Sequence, residues 1–306
     1  MQELDQNSIT DAVIEQMSST PNPRLKQVME SVVRHVHEIC REVDLQPAEL
    51  FMAMEFLKDV GQKCTPERQE FMVLSAVMGL ETVVNILEDV RTKERGTRTS
   101  IFGPFYLTDS PPMKLGDTLA ANAKSGLVGL YGTVTDTSGK PIPNASVEIW
   151  QTDETGLYDV QHDGSHRDLR GRFLTDAQGR YYLKTTAPLG YSIPQDGPTW
   201  ILVRHQQHRP GMRPAHTHFR ITAPGYRDVI TALYLRSDEH IDDDAAFGVT
   251  ASLVRDIVQN DPKSPFPDLP ALNFDVTLRT ADVEALTGGG VNAAAREPKP
   301  TAEMVS

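Results

Sequence analysis

Cysteine is scarce in this 306-residue chain: Cys40 and Cys64 are the only two. Both fall in helical contexts rather than in a paired spacing. That excludes a disulfide framework and a thiolate metal site, and leaves two free thiols in a reducing compartment. Positive charge is also short, with 30 Lys and Arg against 42 Asp and Glu, a formal net charge of −12. Neither nucleic acid nor an acidic membrane is an expected partner, and an anionic substrate would need local cations to hold it. No apolar run approaches the length of a membrane span. The stretch Met1–Thr20 is polar and acidic, without the apolar segment of a signal peptide, so the cytoplasm is the expected location. What remains, 39% hydrophobic and 24% charged, is the composition of an ordinary soluble globular protein.

Two hydrophobic periods divide the chain. A weak segment near Ser8–Met17 precedes Asn22-Pro23, an N-cap followed by proline at the first helical position. Leu25, Val28, Met29, Val32, Val33, Val36, Ile39, Cys40 and Val43 then recur at helical spacing. A second helix is expected over Pro47–Val60 with Gly61 as its stop. A third opens at Thr65-Pro66-Glu67 and carries Phe71, Leu74, Met78, Val83, Val84 and Leu87. These stripes are wider than three helices need among themselves, so they serve either the core or a subunit contact. Near residue 127 the period changes to two. Leu127–Thr135, Ala145–Trp150, Arg172–Thr175, Arg180–Thr185, Trp200–Arg204, His216–Thr222, Val229–Leu235 and Phe274–Leu278 read as strands. Asp136–Pro141 and Asp176–Gly179 form turns, the second closing a hairpin. One inserted helix is expected over Ala246–Gln259. The expected fold is α+β: a helical unit over 1–99, an antiparallel β-sandwich catalytic domain over 100–280, and a disordered tail over 281–306.

The candidate chemistry starts at Arg213-Pro214-Ala215-His216-Thr217-His218-Phe219-Arg220-Ile221. On a strand, His216, His218 and Arg220 share one face while Thr217, Phe219 and Ile221 anchor the other. Two imidazoles converging this way are candidate metal ligands; two exposed histidines on a polar face are the plain alternative. His35 and His37 have the same spacing inside a helical pattern, where residues two apart diverge by roughly 200° and cannot share a metal. The remaining ligands are not obvious. No glutamate follows His218, His240-Ile241-Asp242 sits in a solvated acidic loop, and His162, His166, His205 and His208 lie in polar loops. Tyr158 and Tyr191 are each placed by a preceding glycine at strand ends, though packed rings with solvated hydroxyls would look the same. The apolar stretch Ile101-Phe102-Gly103-Pro104-Phe105-Tyr106 either packs over a core or forms one wall of a pocket.

Gly156-Leu157-Tyr158, Gly190-Tyr191-Ser192-Ile193-Pro194 and Arg213-Pro214-Ala215-His216-Thr217-His218-Phe219, in that order, resemble the motifs of the intradiol ring-cleavage dioxygenases. Gly132–Asp136, Ala145–Gln151 and Gly61–Cys64 extend the resemblance over nearly the whole chain. Within the family, Ile101–Phe105, Tyr158–Gln161 and Phe247–Val249 are most similar to hydroxyquinol 1,2-dioxygenases. The resemblance implies one Fe(III) per subunit held by Tyr158, Tyr191, His216 and His218, with Tyr191 as the ligand that leaves and takes a substrate proton. It implies that Arg213 stabilises charge building on the substrate. It implies that Phe102, Gly103, Pro104, Phe105, Ile193 and Pro194 line a flat aromatic pocket, together with Arg213. The implied reaction cleaves hydroxyquinol with O2 to 3-hydroxy-cis,cis-muconate, in a homodimer built through the N-terminal helices. Catechol or chlorocatechol cleavage is the alternative, and a non-catalytic β-sandwich binding module is the reading from a different class. Ala76 and Ala232 depart from the pattern: hydroxyquinol enzymes usually carry Asp at the first, and many intradiol enzymes carry Gln or His at the second. Both departures make the pocket less polar.

Overall fold

Helix signals near the N-terminus act where the chain chemistry puts them. The computed structural model describes residues 3–92, 95–120, 126–162 and 167–281, so the expected tail lies outside them except for Ala281. After a short helix α1 (Ile9–Gln16), the Asn22 side chain accepts the Leu25 N–H at 3.0 Å and starts α2 (Pro23–Glu42), with proline at its first turn. No residue of α2 is buried: Leu25, Val28, Val32, Val36, Ile39 and Val43 are exposed along one stripe. Helix α3 (Pro47–Gln62) passes through Gly61 instead of stopping before it.

The expected third helix is two. Thr65 Oγ1 accepts the N–H groups of Glu67 and Arg68 in a turn, which delays the start to α4 (Glu70–Val77). Gly79, at φ +70°, then breaks the run before α5 (Leu80–Arg91). The chain packs as two units, Met1–Gln62 and from Lys63 on. The N-terminal run of helices therefore ends at Arg91, inside the expected segment, while the compact units divide at 62/63 and place α4 and α5 in the unit that holds the sheets. Among the described residues no single helix is long and apolar enough to cross a membrane.

In the second unit, β1 (Leu127–Asp136) pairs antiparallel with β4 (Arg180–Thr186) and parallel with β10 (Ala271–Asn273) and β11 (Val276–Leu278). The other sheet contains β2 (Ser146–Gln151), β3 (Arg170–Leu174), β7 (His216–Thr222), β8 (Val229–Leu235) and β9 (Val254–Arg255), in the order β3-β2-β7-β8-β9. A short pair, β5 (Tyr191–Ser192) with β6 (Met212–Arg213), completes the set. One apolar cluster joins both sheets, with Leu130, Val134 and Leu183 from the first and Val147, Ile149, Phe219, Ile221 and Leu233 from the second. The sandwich is mixed, not antiparallel throughout, because the C-terminal segments return alongside β1 and β8 in the parallel sense.

Three local expectations are corrected. The turns at Asp136 and Asp176 form as read, each carboxylate accepting backbone N–H groups within the turn. They nevertheless carry the chain from one sheet to the other, so β3 and β4 are not a hairpin. Trp200–Arg204 is not a strand: Gly197-Pro198 starts a helical turn α6 (Pro198–Trp200), continued as a π-helix over Ile201–Gln206. The helix expected over Ala246–Gln259 shrinks to one 3-10 turn at Ala251–Leu253, because Phe247 takes φ +55° and Val254 is drawn into parallel pairing with Tyr234.

Candidate active site

Strand register brings the candidate ligands together. On β7, Phe219 and Ile221 enter the core, which turns His216 and His218 to the other face. Their Nε2 atoms lie 3.1 Å apart. The β2–β7 pairing sets Trp150 directly across from His218, and their rings stack at 5.0 Å and 9°. His216 Nδ1 lies 2.6 Å from the Pro214 carbonyl, which fixes that nitrogen as the N–H and makes Nε2 the nitrogen that carries the lone pair. Burial lowers both imidazoles well below their usual range, helped at His216 by Arg213 and at His218 by His216, so both stay neutral.

The two tyrosines arrive from loops. Asp153 Oδ1 accepts the Thr155 and Leu157 N–H groups, Gly156 turns at φ +78°, and Tyr158 follows with its own N–H donated to Gln161 Oε1. A Cβ at Gly156 would stand 3.3 Å from that of Tyr191, so the glycine also lets the two loops approach. Tyr191 is paired with Arg213 across β5 and β6. The Tyr158 hydroxyl lies 3.2 Å from that of Tyr191 and 3.4 Å from His216 Nε2. Burial, then the Tyr191 hydroxyl beside it, raises the Tyr158 phenol well above its usual range, so ionising it needs a cation close by. Behind it, the buried Arg170 donates to both carboxylate oxygens of Asp159 at 3.0 and 2.7 Å and to the Phe105 carbonyl at 2.9 Å.

Arg213 joins the same group, with Nη1 2.9 Å from His216 Nε2 and 3.4 Å from the Tyr191 hydroxyl. Burial works against its charge, but the Asp244 carboxylate alongside holds the guanidinium ionised. Two imidazole lone pairs and two phenol oxygens thus crowd one point, an arrangement that repels itself unless a cation or shared protons sit between. That donor set of two oxygens and two nitrogens suits a hard, highly charged metal ion. Among the described residues no three His, Cys, Asp or Glu side chains converge on a point, so any metal site here must use the phenols.

The remaining candidates separate from this group. His162 pairs with Asp153 and His240 with Asp243, His205 and His208 are exposed, and His35 and His37 stay within α2. His166 is outside the described residues. A narrow, partly open cleft lies beside Tyr191 and Arg213, and Gly103, Pro104, Phe105, Ile193 and Pro194 are among its lining residues. Phe102 does not line it. The chain turns at Gly103, and Phe102 packs instead on Tyr106 at 4.6 Å and Trp150 at 6.1 Å. The sequence reading missed Val73 and Val77 on α4 and Ala246 as lining residues, and left Ile101 open between core and pocket wall; Ala76 lies between the two valines on the same wall. It also missed Asp244, whose only local signal is an acidic run.

Known proteins resemble this architecture over most of its length. A family model described as "Catechol dioxygenase N terminus" matches residues 22–96, and one described as "Dioxygenase" matches 101–280. A 6-chlorohydroxyquinol 1,2-dioxygenase of Cupriavidus pinatubonensis is 41% identical over 260 residues, 85% of this chain and 94% of that one. A hydroxyquinol 1,2-dioxygenase of Rhodococcus opacus is 39% identical over 85% of this chain and 86% of its own. Among solved structures, hydroxyquinol 1,2-dioxygenase from Pseudomonas putida matches with TM-score 0.79 at 34% identity, covering 90% of this chain and 99% of that one. Wild-type catechol 1,2-dioxygenase from Acinetobacter radioresistens also gives TM-score 0.79, at 29% identity, over 93% and 96%.

Proposed function

The chain belongs to the intradiol ring-cleavage dioxygenases, and from that premise we propose that it opens hydroxyquinol (1,2,4-trihydroxybenzene) between its adjacent hydroxylated carbons. With O2 the product is 3-hydroxy-cis,cis-muconate, the enol form of maleylacetate; both oxygen atoms enter the product. The family uses non-haem iron, and we assign Tyr158, Tyr191, His216 and His218 as the residues that would hold one Fe(III) per subunit. The single observation that carries this is the convergence of two phenols and two neutral imidazoles on one buried point. Bound there, ferric iron would supply Lewis acidity to the diol and make the ring reactive towards O2.

The protein's own groups do the rest. The Pro214 carbonyl keeps His216 in the tautomer that presents Nε2, and Trp150 holds the plane of His218. Tyr191, on the short β5–β6 pair beside the cavity, accepts one diol proton at its phenolate oxygen. Arg213 places a fixed positive charge where negative charge grows on the substrate. The apolar walls at Gly103–Phe105 and Ile193-Pro194 would pack against the substrate's ring and keep water from it. A second reading, catechol or chlorocatechol cleavage, draws on one observation: Val73, Ala76, Val77, Ile101 and Ala246 offer no hydrogen-bonding side chain to a third hydroxyl. We also propose a homodimer through the N-terminal helices, supported by the exposed apolar stripe of α2.

Ferric tyrosinate should colour the purified protein red to burgundy. A colourless protein with stoichiometric iron would overturn the ligand assignment. Oxygen uptake should run faster with hydroxyquinol than with catechol; the reverse order would move the chain to the second reading.

A further inference from the structure

Of three consecutive aspartates, Asp242 and Asp243 are exposed and Asp244 is buried. Its carboxylate faces Arg213, accepting from Nε at 3.1 Å and lying 3.4 Å from Nη2. The Tyr234 hydroxyl is 3.3 Å from the same Nη2, and is itself 2.9 Å from Ser100 Oγ, which donates to the Gly248 carbonyl at 2.9 Å. Three of the guanidinium's contacts therefore lie on its Nε–Nη2 edge. Nη1 is left towards His216 and Tyr191.

We infer that Asp244 is a positioning residue for ring opening, gripping one edge of Arg213 so that Nη1 stays turned towards the reacting diol; this rests on the function proposed above. The physical case is the geometry of the fork. A long side chain with several rotatable bonds swings if it is held at one point, whereas a carboxylate on two guanidinium nitrogens fixes both direction and plane. A misplacement of roughly 1 Å in such a group costs on the order of a hundredfold in rate. Asp244 is itself held by the N–H groups of Ala246 at 3.1 Å and Gly248 at 2.9 Å. The cavity wall at Ala246 and the orientation of Arg213 thus share one anchor.

A merely structural Asp244 would cap this loop and owe nothing to Arg213, and a double-mutant cycle separates the two roles. Arg213→Ala should lower kcat/KM by about a hundredfold, and Asp244→Asn by about tenfold, mostly in kcat, with bound iron and the visible band retained. In the Arg213→Ala background, Asp244→Asn should cost less than about twofold more. A further tenfold loss there would overturn the inference. If Asp244→Asn does not fold, Asp244→Glu, which keeps the charge one methylene out of place, enters the same cycle under the same criterion. A second arm, with a melting-temperature readout beside activity, uses guanidinium ion as the probe. At low millimolar concentration it should raise the melting temperature of Arg213→Ala and restore part of its activity, by occupying the seat that Asp244 and Tyr234 form. It should do neither in Arg213→Ala/Asp244→Asn, and equal responses in the two proteins would sink the proposal. Wild-type protein that turns over no diol would overturn the function proposed above, while the melting-temperature arm would still judge the seat.

Discussion

Gly103→Ala tests how closely the pocket wall and the ligand histidine depend on each other. Gly103 adopts φ +75°, and an added Cβ would stand 3.1 Å from His218 Nε2 and 3.2 Å from Cε1. Two costs follow. A left-handed conformation costs a residue with a Cβ about 1–2 kcal/mol, which for a unit of this size lowers Tm by roughly 2–8 °C. The contact adds a demand that the imidazole move by a few tenths of an ångström, against Trp150 stacked at 5.0 Å on its ring. Gly225 separates these terms: it sits at φ +84° with nothing within 4 Å of its would-be Cβ. Gly225→Ala should lose a similar amount in thermal melting and keep full iron and turnover. Gly103→Ala should lose the same stability and, in addition, either iron measured by metal analysis or about tenfold in kcat/KM by oxygen uptake. A Gly103→Ala protein indistinguishable from Gly225→Ala in iron content and rate would refute the contact reasoning.

Tyr158→Phe removes one phenol from the converging group, so the visible band should disappear or the iron be lost; a full-strength band in absorption spectroscopy would remove Tyr158 from the ligand set. Arg170→Met should destabilise by about 3–5 kcal/mol in urea unfolding, since it leaves the Asp159 carboxylate buried without its partner. Adding Asp159→Asn should recover part of that, and no recovery would argue that Arg170 acts through packing alone. Burial raises the Glu81 carboxyl above its usual 4.5, against the Phe102 N–H and Arg213, which favour the charged form. Above that pH the unfolded chain has lost a proton the folded protein still holds, so this group's contribution to stability falls as pH rises from 4.5 through the raised value. Glu81→Gln should therefore match the wild type in urea midpoint near pH 4 and exceed it at pH 7; a constant difference between the two would contradict the shift.

The residues with the sharpest local pattern were legible. His216–Thr222 and Val229–Leu235 form with the expected bounds, because alternation and flanking turns agree there. The two histidines and two tyrosines meet as the motif resemblance implies, although the tyrosines alone read as structural. Local pattern failed where distant partners decide. Val249, Leu253, Val254 and Ile257 have helix-like spacing, but Val254 finds a strand to join at Tyr234. Trp200–Arg204 is a short apolar run that reads like a buried strand, yet Gly197-Pro198 just before it is a helix start. Nothing in the acidic run marks Asp244 as the member that faces inward, since that depends on where Arg213 lies. Sheet membership was equally hidden, because a tight turn looks the same whether it closes a hairpin or crosses between layers.

The placement of β1 has a consequence for how the molecule is made. Its neighbours include β10 and β11, with Gly129 opposite Ala271 and Val134 opposite Val276. A chain leaving the ribosome can pair β1 with β4 early, but both parallel partners arrive only after residue 271. Long-range pairings of this kind form slowly and leave strand edges open in the interval. Synthesis truncated before Ala271 should therefore yield an aggregating fragment even though every expected ligand has already been translated.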